Sequence, residues 1–273
     1  MNKRVSYFIL TNGRSGSNYF VNLLNKHPAA LNFGETLGDW THPWRMRRLF
    51  GRTDTPQSVK RYLDGFFDNP CVFYAGQAAA VPDRLRHGRP LNLKRRSEVL
   101  AVGLKDFHLN AERRGVIDYF KERQGLRVIG LVRRNPVRRY VSALMLRNTG
   151  QAAAQDREAT SFAPLTIPAD DFLKGVRVVA DETTRLCATL DEIDPARRLI
   201  VDYADYFGNE DAMRQANRQM FSLLGLEPLE LASGHRKLNM RPLRETLVNY
   251  DEIARTMAAH EFAEAFLESE TGG

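Results

Sequence analysis

The residues of this 273-residue chain best equipped for chemistry lie at positions 11–18, TNGRSGSN, directly after a short apolar run. Glycines there let the main chain approach a ligand closely. A helix starting just beyond offers unbonded N–H groups and the positive end of its dipole, and the two together make an oxyanion cradle. The spacing is not that of a Walker A loop, GxxxxGK[ST]. Gly13 and Gly16 are three apart and Ser17 follows Gly16, so neither the phosphate-binding lysine nor the magnesium-binding hydroxyl is placed. Taken alone, such a loop also reads as a simple tight turn. The charge distribution favours the anion. The chain carries 40 Lys and Arg against 33 Asp and Glu, a net +7, but residues 1–150 hold 27 basic and 11 acidic side chains, and residues 151–273 hold 13 and 22. A basic surface or cleft built by the first part calls for an anionic partner. No helix-turn-helix, zinc-finger or RNP pattern accompanies the charge, so nucleic acid is not the expected one.

The elements that position this loop follow from local pattern. Residues 5–10, VSYFIL, read as a buried parallel strand, and residues 17–26 as a helix with Tyr19, Phe20, Leu23 and Leu24 on one face, capped by Ser17 or Asn18 and ended by His27-Pro28. A second unit starts with a strand at 99–104 and an amphipathic stretch at 111–122. A third has a strand at 127–132 and a helix opened by Pro136. Residues 149–168 are polar and aperiodic and read as a mobile loop or excursion. A helix at 170–193, a strand at 197–201, a helix at 211–224 and a final helix at 250–267 complete the series. Strands alternating with helices imply one domain spanning 1–273, with a mostly parallel sheet covered on both faces and its crevice at the carboxyl ends of the strands.

With these elements in place, the sequence resembles the PAPS-dependent sulfotransferases, closest in pattern to bacterial enzymes that sulfate carbohydrates and glycolipids. YFILTNGRSGSNYFVNLLNKHP looks like their 5′-phosphosulfate loop, with Arg14, Ser15, Gly16, Ser17 and Asn18 at the positions that hold the phosphosulfate. In RNPVRRYVS, Arg134 and Ser142 have the eight-residue spacing with which the family clamps the donor's 3′-phosphate. LIVDYADYF resembles the strand ending in a Tyr-acid pair, which makes Tyr203 a candidate for the adenine pocket. HRKLNMRPLRETLVNYDEI resembles a basic C-terminal loop closing over the donor, through Arg236, Lys237 or Arg241. The resemblance implies a P-loop-like three-layer α/β sandwich and the donor 3′-phosphoadenosine 5′-phosphosulfate (PAPS), with 3′-phosphoadenosine 5′-phosphate (PAP) as product.

The implied reaction is in-line sulfuryl transfer, catalysed by positioning and by preorganised donors, with no metal expected. Arg14 stands where many eukaryotic cytosolic members have lysine. Its guanidinium keeps its proton, so it acts as an electrostatic clamp. The acceptor hydroxyl needs a general base. Glu35, in LNFGETLGDW, resembles the glutamate that several bacterial members place opposite the loop. His108 is the rival, although Lys105 and His108 are three apart where the cytosolic pattern has two, and Lys105 is a further sulfate contact. Phe33, Trp40, His42 and Trp44 crowd the segment where an acceptor pocket would form, and they serve equally well as core.

Composition agrees with an ordinary globular protein. With 43% hydrophobic and 27% charged residues the chain is neither disordered nor fibrous. No apolar run approaches the roughly 20 residues of a membrane span, no secretory signal is visible, and two cysteines cannot form a disulfide framework, so a cytoplasmic setting is expected. The competing readings are a P-loop kinase-like phosphotransferase using ATP and magnesium, and a non-enzymatic nucleic-acid-binding module.

Overall fold

The computed structural model describes residues 4–49, 53–86, 88, 91, 93–149, 164–231 and 242–270. Its centre is a five-stranded sheet of β1 (Val5–Thr11), β2 (Ala30–Asn32), β3 (Ala101–Phe107), β4 (Leu126–Val132) and β5 (Arg198–Asp202) in the order β2-β3-β1-β4-β5. Every pairing is parallel. The carboxyl ends of the strands therefore gather at one edge: Thr11 pairs with Phe107 on one side and Leu131 on the other, and Val132 pairs with Asp202. The strand order reverses at β1, so the loop leaving it sits at the point where open α/β sheets bind ligands.

Alternation along β1 sorts the core into two layers. Phe8 and Leu10 face one side, with α3 (Pro56–Asp68), α5 (His108–Arg113), α6 (Tyr119–Glu122) and α8 (Ala169–Asp191). Tyr7 and Ile9 face the other, with α1 (Ser17–Lys26), α9 (Tyr203–Gly208) and α10 (Glu210–Leu223). This is the three-layer α/β sandwich the strand-helix alternation implies. Phe8, Leu10, Tyr7 and Ile9 are all fully buried, each contributing about 1.5–3 kcal/mol of apolar burial. Tyr7 lies flat over Gly103, where a Cβ would stand 2.2 Å from its ring, so only glycine admits that packing. A third apolar cluster joins α7 (Pro136–Thr149) and α8 to α11 (Leu243–Thr246), α12 (Tyr250–Ala258) and α13 (Ala263–Glu268). No helix among the described residues is long and apolar enough to cross a membrane.

Several local expectations need correction. The helix α1 is not capped by Ser17 or Asn18. Its cap is Gly16 in the left-handed region, with no side-chain cap bond. The strand expected at 99–104 runs from Ala101 to Phe107, because Lys105 and Asp106, charged residues that end an apolar reading, are buried within it. The 111–122 stretch is two short helices parted at Gly115, whose φ is 64°, and the final helix breaks after Ala258. The sequence reading left unassigned the short edge strand β2 and the helices α2 (His42–Leu49), α3 and α4 (Pro70–Arg86). Most of the 149–168 excursion, and Arg236, Lys237 and Arg241, lie outside the described residues. At the end of that excursion Leu165 is tied by backbone bonds to Thr246 and Val248.

Candidate active site

The loop after β1 is built by its neighbours. Thr11 Oγ1 donates to Leu131 O at 2.9 Å, Asn12 Nδ2 to Glu182 O at 3.0 Å, and Arg139 Nε donates to Gly13 O at 3.0 Å. Arg14 and Gly16 both take positive φ, 66° and 73°, a backbone form whose N–H groups converge on an anion. Gly16 is required there for a second reason, because a Cβ would stand 2.8 Å from the Phe207 ring. Ser15 is 2% exposed and its Oγ has no hydrogen-bond partner among the described residues.

The two strand-to-helix junctions meet. Arg14 Nε donates to Ser142 Oγ at 2.9 Å, and Arg133 Nη1 donates to the carbonyl of Arg14 at 3.0 Å. Asn135, whose Oδ1 accepts from the Arg138 N–H at 2.9 Å, caps α7. That helix sends Arg138, Arg139 and Ser142 inward, all less than a tenth exposed. Arg139 forms a buried anchor, donating to Val179 O and Thr183 Oγ1 and pairing with Glu182. Arg138 differs. It is buried, yet its Nη1 and Nη2 have no hydrogen-bond partner among the described residues. Burial lowers the pKa of all four guanidinium groups, taking Arg133 to about 10; an arginine side chain keeps its proton in a protein at neutral pH. An unpartnered buried cation is costly. A buried hydroxyl and two guanidinium nitrogens without hydrogen-bond partners among the described residues, inside a cluster of arginines, are the features a polyanion would satisfy. The residues present fit a doubly phosphorylated donor.

Arg134 projects outward, its side chain 67% exposed and its Nε 3.1 Å from Asp202 Oδ2. Tyr203 opens α9 directly after β5. Arg133 stacks on its ring at 4.3 Å, and it packs with Phe207 against Gly16. The structure thus brings Arg14, Ser15, Gly16, Ser142 and Tyr203 together, with Arg134 at the margin beside Asp202. Asn18 is exposed on α1 and Ser17 is buried at its start.

On the other side of β1, the segment carrying Glu35 is laced to β3. Phe33 N donates to Gly103 O, Lys105 N to Gly34 O, and Asp106 Oδ2 accepts from Thr36 N at 2.7 Å and Leu37 N at 2.6 Å. Asp106 Oδ1 accepts from Phe107 N and Asn110 Nδ2. Burial raises the Asp106 pKa and these donors pull it the other way without cancelling the rise; each oxygen already accepts two N–H groups, so the geometry leaves no lone pair for a proton and favours the carboxylate. Glu35 is then fixed at both oxygens: Lys105 Nζ lies 2.5 Å from Oε1, and Trp40 Nε1 donates to Oε2 at 2.9 Å. The Lys105 ammonium rests over the Phe107 ring at 4.0 Å. His108 is turned toward α8, with Nε2 2.8 Å from Thr189 Oγ1 and Nδ1 3.6 Å from Glu112, and burial lowers its pKa. Of the aromatic residues after α1, Trp44 and Phe33 join the core, and Trp40 is 52% exposed.

Sequence reasoning missed Arg133, Arg138 and Arg139, although RRNPVRR displays them, and it missed Asp106. The signal was the density of arginine in RRNPVRR, with Arg138 and Ser142 four apart on a Pro-opened helix and so on one face of it.

No family model matches the chain. The chain is similar to Nodulation protein H of Rhizobium tropici, 26% identical over 282 residues that cover 95% of this chain and 92% of that protein. Among solved structures it is similar to a sulfotransferase from Alicyclobacillus acidocaldarius, 17% identical, covering 97% of this chain and 96% of that one with a TM-score of 0.45. It is also similar to the sulfotransferase domain of the Synechococcus PCC 7002 olefin synthase, 18% identical, covering 83% and 75% with a TM-score of 0.43.

Proposed function

We infer that this chain, a member of the sulfotransferase family, takes its sulfuryl group from PAPS and passes it by in-line displacement to a hydroxyl of a carbohydrate, glycolipid or related small molecule. The observation that carries the reading is the Arg14–Ser142 hydrogen bond of 2.9 Å, which joins the two anion-binding junctions into one site able to grip both ends of a bisphosphorylated nucleotide.

PAPS supplies an activated sulfuryl group whose transfer leaves charge on the 5′-phosphate oxygen. The backbone N–H groups of residues 15–17, Ser15 Oγ and Arg14 bind that end and stabilise the charge as it develops. Ser142, Arg138 and Arg134 hold the 3′-phosphate, and Tyr203 borders the adenosine. Arg14 stays protonated throughout, and Arg139 holds the loop by Gly13 without touching the ligand. Glu35 accepts the proton of the acceptor hydroxyl at a carboxylate oxygen. Its rival His108 has Nε2 engaged by Thr189 on α8 and Nδ1 facing Glu112 at 3.6 Å, and at 2% exposure it is closed to an acceptor. Lys105 orients Glu35 and adds positive charge beside the departing proton. Two free thiols, one exposed at Cys71, support the cytoplasmic setting as part of the proposal.

The test pairs calorimetry with turnover. PAP should bind without magnesium and more tightly than ATP with magnesium, and Glu35→Gln should keep PAP affinity while losing about 10²–10⁴-fold in transfer from labelled PAPS to cell-extract acceptors. Preference for ATP with magnesium would overturn the donor, and near-normal turnover of Glu35→Gln would pass the base role to His108.

A further inference from the structure

Two tryptophans four residues apart in the chain have opposite fates. Trp44 is fully buried beneath the stacked guanidinium groups of Arg47 and Arg114, and Trp40 is 52% exposed. An exposed indole is usually loosely held, and Trp40 is pinned on three sides. Its benzene ring folds back onto Gly38, where a Cβ would stand 2.6 Å from two ring carbons. Its ring lies 6.3 Å from Phe107, tilted by 39°. Its Nε1–H is spent on Glu35 Oε2 at 2.9 Å. Exposure without slack, one residue type and one bond away from the carboxylate assigned as base, is the arrangement of a binding floor.

We propose that Trp40 is the floor of the acceptor subsite and the positioning residue for Glu35, and that the acceptor it takes is a pyranose ring; the inference rests on the assignment of Glu35 as base. A pyranose presents a flat array of C–H groups to an indole face and a rim of hydroxyls at its edge. The N–H bond fixes the indole so that a ring lying on its open face brings a rim hydroxyl toward the Glu35 carboxylate. Lys105, on the far oxygen, leaves Oε2 and its remaining lone pair directed to the Trp40 side. Gly38 is part of the device, since any side chain there displaces the indole without removing it.

The full-length protein saturated with PAP provides the direct readout. The chain contains only two tryptophans, and Trp44 is shielded, so acrylamide quenching of fluorescence reports chiefly on Trp40. Cellotetraose, maltotetraose and mannotetraose are the probes, with 4-methylphenol as the aromatic comparator. At least one tetrasaccharide should lower the quenching constant of the wild type twofold or more, and 4-methylphenol at equal concentration should not. For that tetrasaccharide in sulfuryl transfer from PAPS, Trp40→Phe, which keeps a ring and loses the N–H, should lower kcat about tenfold with KM within threefold. Trp40→Ala and Gly38→Ala should raise KM at least tenfold. PAP affinity of all three variants should stay within twofold of the wild type, which a general loss of structure would not allow. Protection by 4-methylphenol in place of every tetrasaccharide, no protection by any probe, or an unchanged KM in Trp40→Ala each overturns the proposal. Glu35→Gln separates the layers. If it keeps normal turnover the base assignment falls, and if it is inactive yet retains tetrasaccharide protection, both the base and the floor stand.

Discussion

Asp106→Asn is the most informative single change outside the ligand-touching residues. The carboxylate is fully buried and accepts four N–H groups, Thr36 and Leu37 amides at Oδ2 and the Phe107 amide and Asn110 side chain at Oδ1. An amide has one oxygen and one NH2, so in either orientation two donors must face a donor. Hydrogen bonds to a charged acceptor are worth about 1.5–3 kcal/mol each. Losing two of them in a site closed to water predicts a destabilisation of about 3–6 kcal/mol, a large share of a typical folding free energy of roughly 5–15 kcal/mol. The cost falls on the segment that carries Glu35, because the Thr36 amide is the next link of the chain. Urea unfolding should show the loss with little change in the dependence on denaturant. Below the unfolding transition, turnover should fall at least tenfold with PAP affinity unchanged, since the loop after β1 is held by Arg139 and Glu182 on the opposite side of that strand. A variant within about 1 kcal/mol of the wild type and fully active would refute the view that an ionised Asp106 organises the catalytic segment.

Other outcomes test other parts. Gly16→Ala combines a left-handed backbone costing about 1 kcal/mol for an L-residue with a Cβ 2.8 Å from the Phe207 ring; calorimetry should show PAP affinity reduced at least tenfold, and wild-type affinity would mean the loop is not the cradle. Arg138→Met removes a buried guanidinium with unpartnered nitrogens. It should leave urea stability equal or higher while weakening PAP by about 1.5–3 kcal/mol, and unchanged PAP affinity would remove Arg138 from the donor site. His108 is held neutral by burial, its pKa below the ordinary histidine value. The unfolded chain therefore takes up the extra proton first, and stability falls as pH drops from about 6.5 toward the native pKa. The loss between pH 7.5 and 5.5, followed by urea unfolding, should be smaller in His108→Gln, and equal losses would count against a buried neutral imidazole.

The legible parts of this protein were those whose signals lie among chain neighbours. Apolar runs of five to seven residues and helical spacing of apolar side chains gave β1, α1, β4, α7, α8, β5 and α10 to within about two residues, because strand and helix periods are local properties. The glycine loop was visible for the same reason, since only glycine tolerates the φ of 73° that Gly16 adopts without strain. The β3 end was misjudged because Lys105 and Asp106 look like surface residues. They are buried only because each meets its partners, Glu35 and the Thr36 and Leu37 amides, about seventy positions away.

Sequence alone determined the alternation of strands and helices, the two strand-to-helix junctions proposed to bind the donor and their order along the chain. Tertiary structure decided that the junctions touch, through Arg14 and Ser142, 128 residues apart. It also decided that Arg138 is buried with two nitrogens lacking a hydrogen-bond partner among the described residues while Arg134 is exposed, and that of two tryptophans one is core and the other stands beside Glu35. The physical reason is that burial and charge pairing depend on what the sheet order places across a gap, and local periodicity carries no information about that.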